Sequence, residues 1–294
     1  MIEQNESCWP NLFHVKATLS SGRVGVATRD IIAGNIILLE DPFSCVLPAT
    51  HHESSALQFS YDNYEVGALN KIKELSASKI KGDLCILAYR IMKKIDRDPI
   101  FKDLFLGLCH NCSRERSGLY EYSIILAELL RMGNMKGEYS VDYLRSIISR
   151  ISTNAFSIVD DCFDEMGIGI YLKAACFNHS CSPNAFQSFD SKLRISIRAL
   201  RDIRKSEEIT VSYIDLSRPT WWRRSELYDG YNFICNCDRC EEIDYIDTYF
   251  CHRLECNGLC FIQHQEENQY RNWLRGSDCT VSESGYICLC VQYN

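Results

Sequence analysis

The sequence predicts an α+β fold in which two β-rich segments enclose a helical segment and a cysteine-rich tail follows. Three observations predict it. Short apolar or alternating runs occupy residues 12–48 and return over 154–215. Between them, residues 52–150 carry apolar side chains at helical spacing. Nine of the 17 cysteines lie in the last sixty residues, from Cys235 onward, which indicates a tail held by metal.

The first segment is predicted to form strands. The runs "RVGVATRDI" and "NIILLEDPF", residues 23–31 and 35–43, are short and apolar or alternating. "AGN" between them is a turn signal, and Pro42 and Pro48 close the second run.

Helices are predicted in the segment that follows. "DLCILAYRIMKKID", residues 83–96, has the period of an amphipathic helix. Its apolar face carries Leu84, Leu87, Ala88, Ile91, Met92 and Ile95, and its other face carries Arg90, Lys93 and Lys94, which we expect to be solvated. "YSIILAELLRMG" and "SVDYLRSIISRI" predict two further helices, the second capped by Ser140.

Strand patterns then return. "NAFSIVD", "LRISIRAL" and "EEITVSYID" are strand-like, with turn signals at "SPN" and "RKSE". "RPTWWRRSELYDGY" predicts a short helix before the cysteine-rich tail. The predicted units are therefore residues 1–50, 51–150, 151–216 and 217–294.

Composition and charge exclude several classes of protein. The net charge of −7 argues against nucleic acid as a direct partner. No apolar run is long enough to span a membrane, and the first residues lack the features of a secretory signal. We therefore expect a protein of the nucleus and/or cytoplasm, where disulfides are rare. The acidic excess favours a basic substrate such as a lysine-rich tail, although an ordinary solvated surface has the same composition.

The motif "FICNCDRC" indicates a metal site. Cys235, Cys237 and Cys240 form C-x-C-x-x-C, which supplies three thiolates within one turn. A closed structural zinc site needs four ligands, so one is missing. Cys181, beside a Ser-Pro pair in "FNHSCSPNAF", is the candidate for the fourth. The alternative is a buried core cysteine, a common environment for a free thiol.

Other cysteines are open to two interpretations. A second zinc could be held by Cys251, Cys256, Cys288 and Cys290 on a β-ribbon, with Cys260 and Cys279 as competitors. "CHNC" supplies Cys109 and Cys112, which look like half of a zinc knuckle without a second half. We interpret that pair as core cysteines.

Several motifs resemble those of one family. "SGRVGVATRDIIAGNIILLEDPF", "TNAFSI", "NHSCSPNA", "EEITVSYID" and "FICNCDRC" occur in this order, and the resemblance spans residues 12–260, most of the chain. Together they resemble the SET-domain protein lysine methyltransferases, in particular the SMYD-type branch with a split SET domain. The resemblance implies a SET fold of small β-sheets, in which the chain through Tyr213 threads past Asn178 like a pseudoknot.

The resemblance also assigns the four units. Residues 1–50 and 151–216 would be the two parts of the split SET domain, and 217–294 the zinc-binding post-SET region. A helical insertion, residues 51–150, would replace the MYND finger, and we expect the helical-repeat domain of the branch to be absent as well.

The resemblance further implies the cofactors and the roles of individual residues. S-adenosylmethionine would be the methyl donor, and Cys181 would complete a zinc site with Cys235, Cys237 and Cys240. Tyr213 would be the catalytic residue, and Tyr231 and Phe233 would line the channel for the substrate lysine. The cofactor-binding residues would be Gly22, Arg23, Asn154, Cys176, Phe177, Asn178, His179, Tyr213 and Phe233. The expected partner is a protein that presents a lysine, such as a histone tail, and the chain is expected to be a monomer.

Two departures from the family pattern leave an alternative open. Val24 stands at the usual second glycine of the opening loop, with the glycine moved to Gly25, and Ala175 replaces a serine before "NHSC". These changes favour a catalytically inactive SET fold that serves as a zinc-binding interaction module. The cysteine content alone would also suit a redox or metal-storage protein.

Overall fold

The helices and strands follow one another in the order that the sequence predicts. The computed structural model describes residues 12–18, 22–47, 82–110, 119–133, 137–242, 248–250, 259–262 and 286–289, with positions 65, 67, 70, 135 and 246. Its helices are α1 (Gly82–Arg97), α2 (Pro99–Leu106), α3 (Leu119–Met132), α4 (Val141–Asn154), α5 (Thr220–Tyr231) and α6 (Asp238–Glu241). Its strands are β1 (Phe13–Thr18), β2 (Gly22–Ala27), β3 (Ile36–Glu40), β4 (Ser44–Val46), β5 (Ala155–Val159), β6 (Glu165–Ile170), β7 (Asn178–His179), β8 (Ala185–Phe189), β9 (Ile195–Ala199), β10 (Thr210–Val211), β11 (Thr248–Phe250), β12 (Leu259–Ile262) and β13 (Tyr286–Leu289).

The strands form several small sheets instead of one large one. Strands β1 and β2 form an antiparallel hairpin, and two three-stranded sheets have the orders β4-β6-β5 and β3-β9-β8. Strands β11, β12 and β13 form a third three-stranded sheet in the tail. The predicted α+β class is therefore confirmed. None of the helices described here combines the length and apolarity needed to cross a membrane.

The crossing of two short segments joins the early and late parts of the chain. Strand β10 pairs in parallel with β7, with Thr210 opposite Asn178 and Val211 opposite His179. Just before β10, the amide of Ile209 donates to the carbonyl of Gly25 at 2.8 Å. The segment that leads to Tyr213 therefore lies between β2 and β7, in agreement with the threading that the resemblance implies.

The helices and the small sheets bury two apolar clusters. Helices α1, α3 and α4 pack their apolar faces together and against β4 and β6, with Leu87, Leu126 and Ile147 completely buried. The second cluster lies among the small sheets and includes Phe177 and Ile197. Complete burial of each such side chain contributes about 1.5–3 kcal/mol to the free energy of unfolding. These helices are thus an integral part of the core.

The predicted pattern of the first helix holds on its apolar face and in part on its polar one. Leu87, Ile91 and Met92 are buried as expected. Lys94 is exposed as expected, although its ammonium also donates to the carbonyl of Phe43. The expectation for Arg90 was wrong, because its side chain is largely buried and donates to the carbonyl of Cys45. The Ser140 cap is confirmed, since its hydroxyl accepts from the amide of Tyr143.

The interpretation of Cys109 as a core residue was also wrong. Its thiol is exposed. Its carbonyl accepts from Nδ2 of Asn154 at 2.7 Å, which ties the end of the α2 segment to the end of α4. Leu108 is buried and His110 is exposed, so the chain leaves the core at this point. Cys112 lies outside the described residues.

The displaced glycine of the opening loop has a steric cause. A Cβ at Gly25 would lie 2.5 Å from the ring of Phe177, a distance that no real Cβ contact reaches. The Phe177 ring is completely buried and packs against Phe13, with 4.8 Å between ring centroids. Val24, at the usual glycine position, is itself buried in the core. Glycine is therefore required at position 25 for close packing of strand β2 on Phe177.

We expect Gly25→Ala to lower the free energy of unfolding by about 1–3 kcal/mol, because the added methyl displaces a buried aromatic ring. Gly230→Ala is the matched control, since a Cβ at Gly230 meets no atom within 4 Å. Urea unfolding of both variants and the unsubstituted chain measures the difference. Equal midpoints for Gly25→Ala and the unsubstituted chain would contradict the steric explanation.

Candidate functional site

The candidate site forms where the segment through β10 crosses β7. The amide of Asn178 donates to Oε1 of Glu208 at 2.9 Å. One step farther along, the backbone amide of Tyr213 donates to Nδ1 of His179 at 3.0 Å. Side-chain hydrogen bonds thus extend the short parallel pairing at both ends, and they fix the position of Tyr213 relative to "NHSC".

Tyr213 is held through its hydroxyl as well as its backbone. The hydroxyl donates to the carbonyl of Phe177 at 2.7 Å. Burial and the neighbouring Tyr231 hydroxyl raise the pKa of Tyr213 above its ordinary value. The phenol is therefore neutral at physiological pH and serves as a hydrogen-bonding group and not as a base.

His179 connects Tyr213 to the cysteine motif. Because Nδ1 accepts the Tyr213 amide proton, the ring proton resides on Nε2. Nε2 lies 3.2 Å from Sγ of Cys181 and donates to it. Burial lowers the pKa of His179 to about 4, so the ring is neutral at physiological pH. Both ring nitrogens are thus engaged within the protein.

Four cysteine sulfurs converge beside His179. The ligand atoms of Cys181, Cys235, Cys237 and Cys240 all lie within 4.8 Å of one another. Sγ of Cys181 is 3.4 Å from that of Cys240 and 4.0 Å from that of Cys235. Cys181 follows β7. Cys235 and Cys237 lie between α5 and α6, and Cys240 lies in α6. The structure therefore brings together the set of thiols that the sequence suggests.

The chemistry of this cluster fits a divalent cation. Hydrogen bonds with Cys235 raise the pKa of the Cys181 thiol, whereas those with Cys181 lower the pKa of Cys240 to about 7. The four thiols thus compete for protons at close range and cannot all ionise without a positive charge among them. Four thiolates at this spacing are the usual donor set of a structural zinc site.

Three arginines surround the cysteine cluster, and their role was not predicted from the sequence. Arg223 is completely buried and its Nη2 lies 3.8 Å from Sγ of Cys240. Arg224 donates to the carbonyls of Cys235 and Cys240 at 3.0 and 3.1 Å, and Arg239 donates to that of Cys181 at 3.0 Å. They fix the backbone that carries the thiols and offset negative charge. The sequence feature that could have indicated this role is the pair of adjacent arginines, "RR", on the buried face of α5.

A second polar region lies at the start of β2. Gly22 has φ of +68°, a conformation that favours glycine. Nε and Nη2 of Arg23 are buried with no hydrogen-bond partner in the part of the chain that the structure describes. Burial raises the pKa of the Cys176 thiol and the Arg23 charge opposes that rise, so the two side chains share one environment. A buried guanidinium without an acceptor is suited to an anionic group such as a carboxylate.

Asn154 ends helix α4 at the same site. Its Nδ2 donates to the carbonyls of Cys109 and Arg150, both at 2.7 Å. Because both partners are acceptors, the amide orientation is fixed and Oδ1 faces the remaining space. Asn154 therefore presents an acceptor for a group such as an ammonium.

Tyr213, Asn154 and Tyr231 line one cavity of about 690 Å³. The Tyr213 and Tyr231 rings lie 4.8 Å apart between centroids. Phe233 is not among the described lining residues, and its ring centroid lies 6.2 Å from that of His179. An aromatic passage of this kind suits the aliphatic part of a lysine side chain and its cationic end.

The same cavity is lined by residues that the sequence did not single out. They are Phe163 at the β5–β6 turn, Phe186 on β8, Asp215 after β10 and Glu226 on α5. Phe163 is hidden in the polar stretch "DDCFDE", and Glu226 lies within a helix of mixed polarity. Neither pattern distinguishes a cavity wall from an ordinary surface.

The second predicted metal site lies in the cysteine-rich tail. Cys251, Cys256 and Cys290 lie outside the described residues. Within the described sheet of the tail, Cys260 of β12 is paired with Cys288 of β13. The β-ribbon on which the prediction depends is present, and the ligand assignment remains a prediction.

Comparison with known proteins finds related sequences. A family model described as the SET domain matches residues 22–214. The histone-lysine N-methyltransferase ASHR1 of Arabidopsis thaliana is 32% identical over 290 residues, covering 84% of this chain and 60% of the relative. The N-lysine methyltransferase SMYD2 of Homo sapiens is 36% identical over 103 residues, covering 35% of this chain and 24% of that protein. The chain thus spans less than two thirds of the length of these relatives.

Solved structures show a more distant likeness. The SET domain of LSMT bound to lysine and AdoHcy aligns over 97% of this chain and 64% of that one, with 15% identity and a TM-score of 0.48.

We expect Cys181→Ser to remove one zinc ion per chain, because a closed tetrahedral site loses a ligand. Cys162→Ser, at an exposed thiol outside the cluster, is the matched control. Zinc per chain is measured by mass spectrometry after dialysis against a weak chelator. Equal zinc content in Cys181→Ser and the unsubstituted chain would show that the four sulfurs do not hold the metal.

Proposed function

The chain belongs to the SET-domain family, and from this membership we propose that it is a protein-lysine N-methyltransferase that uses S-adenosylmethionine. The observation that carries the proposal is the convergence of Tyr213, Asn154 and Tyr231 on one cavity. The substrate is proposed to be a histone or another protein that presents a lysine. The mild negative charge of the chain suits such a basic partner.

The residues around the cavity fit the cofactor. The buried, unpartnered nitrogens of Arg23 suit the cofactor carboxylate, and Gly22 allows close approach of the backbone. Oδ1 of Asn154 suits the cofactor ammonium. The peptide groups of Cys176, Phe177, Asn178 and His179 would flank the adenine, because the His179 ring is already engaged at both nitrogens. Phe233 would cover the same region.

The protein residues are proposed to act mainly by positioning. When bound, S-adenosylmethionine supplies an electrophilic methyl group on a sulfonium. The Tyr213 hydroxyl, held by the Phe177 carbonyl, would offer an oxygen near the methyl and the incoming lysine nitrogen. Tyr231 and Phe233 would surround the lysine stem and exclude water, which keeps the amine aligned.

Zinc is proposed to have a structural role. Bound by Cys181, Cys235, Cys237 and Cys240, it would connect the tail to β7 and hold Tyr231 and Phe233 against Tyr213. A second zinc in the tail remains part of the proposal. Residence in the nucleus and/or cytoplasm is proposed as well, where a thiol-rich zinc site stays reduced. A monomer without direct nucleic-acid contacts is proposed.

The second candidate function is a catalytically inactive zinc-binding interaction module. Ala175, which lines the cavity without a hydroxyl, favours it. The displaced Gly25 does not, since its position follows from packing against Phe177. Cofactor binding without methyl transfer to any lysine-bearing protein would support this alternative.

We expect Tyr213→Phe to lower methyl transfer about 100-fold or more, because a positioned hydroxyl is lost from the reacting centre. Tyr120→Phe, at a tyrosine that is 57% exposed, is the control and should retain full activity. Transfer is measured with radiolabelled cofactor on core histones and on a cytosolic protein extract. Full activity of Tyr213→Phe would contradict the assigned role.

We expect Arg23→Met to raise the Kd for S-adenosylhomocysteine at least tenfold, because the ligand carboxylate loses one charge-assisted contact. The same change should leave the stability of the unliganded chain unchanged or higher, since it removes two buried nitrogens that have no hydrogen-bond partner within the described residues. Calorimetric titration and urea unfolding measure the two effects, with the exposed Arg29→Met as the control. Lower stability at unchanged affinity would indicate a purely structural role.

A further inference from the structure

The cavity that contains Tyr213 and Tyr231 has two chemically different walls. One wall is apolar and comes from the sheets, with Phe163 at the β5–β6 turn and Phe186 on β8. The other is acidic, with Asp215 two residues after Tyr213 and Glu226 on α5. A ligand that fills the cavity must therefore match both an aromatic and an anionic surface.

The two aromatic side chains of the apolar wall are exposed to solvent and are not buried in the core. Phe163 is 71% exposed and Phe186 is 43% exposed. Phe163 also has φ of +65°, a left-handed conformation that is unfavourable for a bulky residue. The turn holds it there, since Oδ1 of Asp160 accepts from the amides of Cys162 and Asp164 at 2.8 and 2.9 Å. A strained position that directs an aromatic ring toward a cavity indicates a binding role.

The acidic wall has one carboxylate oxygen without a donor. Oε2 of Glu226 is buried and has no hydrogen-bond partner within the described residues. Burial, and then the charge of Asp215, raises the pKa of Glu226, and the charge of Arg218 opposes that rise. Asp215 already has partners, since Ser217 donates to both of its oxygens at 2.9 Å and the 57% exposed Arg218 lies 3.5 Å away. A buried carboxylate oxygen without a donor is a position for an incoming cation.

We propose, on the basis of the methyltransferase function proposed above, that this cavity is a peptide cleft selecting a target lysine that has both a basic and an apolar residue nearby. Glu226 and Asp215 bind the basic residue, and Phe163 and Phe186 bind the apolar one. Arginine suits the acidic wall best, because its planar fork bridges two carboxylates. The substrate class is thus a protein segment of mixed basic and apolar sequence, in contrast to a uniformly basic tail.

The first test is a peptide series with one central lysine in a serine and alanine background. Arginine, or glutamine as its neutral counterpart, is placed at each of the three positions on either side. We expect kcat/KM to be about tenfold higher for arginine than for glutamine at the preferred position. Glu226→Gln should bring that ratio close to one, and Glu138→Gln, at an exposed glutamate in the loop before α4, should leave it unchanged.

The second test concerns the aromatic wall. Phe163→Asn removes the ring, while asparagine tolerates the left-handed backbone. The variant should keep its unfolding midpoint but lose the preference for leucine over serine near the target lysine. Loss of that preference together with loss of stability would indicate a structural role, and an unchanged preference would overturn the assignment of Phe163.

A binding measurement separates this proposal from the proposed function. Fluorescent peptides with methionine in place of the target lysine are titrated in the presence of S-adenosylhomocysteine. Tighter binding of the arginine peptide, lost in Glu226→Gln, supports the cleft even if no transfer occurs. Methylation of all peptides at equal rates, with equal affinities, overturns the cleft and leaves the methyltransferase function standing. If no peptide or protein is methylated, the proposed function fails instead.

Discussion

The neutral imidazole of His179 is the contact on which the rest of the site depends. It accepts the backbone proton of Tyr213 on one side and donates to the sulfur of Cys181 on the other. The two segments that cross at β7 and β10 are therefore joined to the cysteine cluster through one ring. A charged imidazolium could not accept from the amide, so the low pKa of His179 and the geometry support each other.

The rest of the fold holds this crossing in place. Helix α4 contributes its C-terminal residue, Asn154, and helices α1, α3 and α4 pack against β4 and β6. Strand β2 approaches Phe177 closely, and the Phe177 carbonyl then holds the Tyr213 hydroxyl. The arginines around the cysteines fix the tail against the crossing. The crossing is thus held from three sides, by the helices, by β2 and by the cysteine cluster.

Much of the fold and part of the candidate site were predictable from the sequence. Helical period gave α1, α3 and α4, and the fixed spacing of Cys235, Cys237 and Cys240 indicated a metal site. The expectations for Arg90 and Cys109 were wrong, because a local pattern reports polarity and not which distant carbonyl or surface a side chain meets. The cavity walls were missed for a similar reason. Phe163 and Glu226 are separated by more than sixty residues in the chain and meet only through tertiary packing.

The close packing of Gly25 on Phe177 also constrains how this sequence diverges. A larger residue at position 25 is tolerated only after the ring at 177 has become smaller, and the partner ring of Phe13 would then lose its contact. The three positions are epistatic and are expected to covary among descendants of this chain. The location of a loop glycine is thus inherited together with an aromatic residue some 150 positions away.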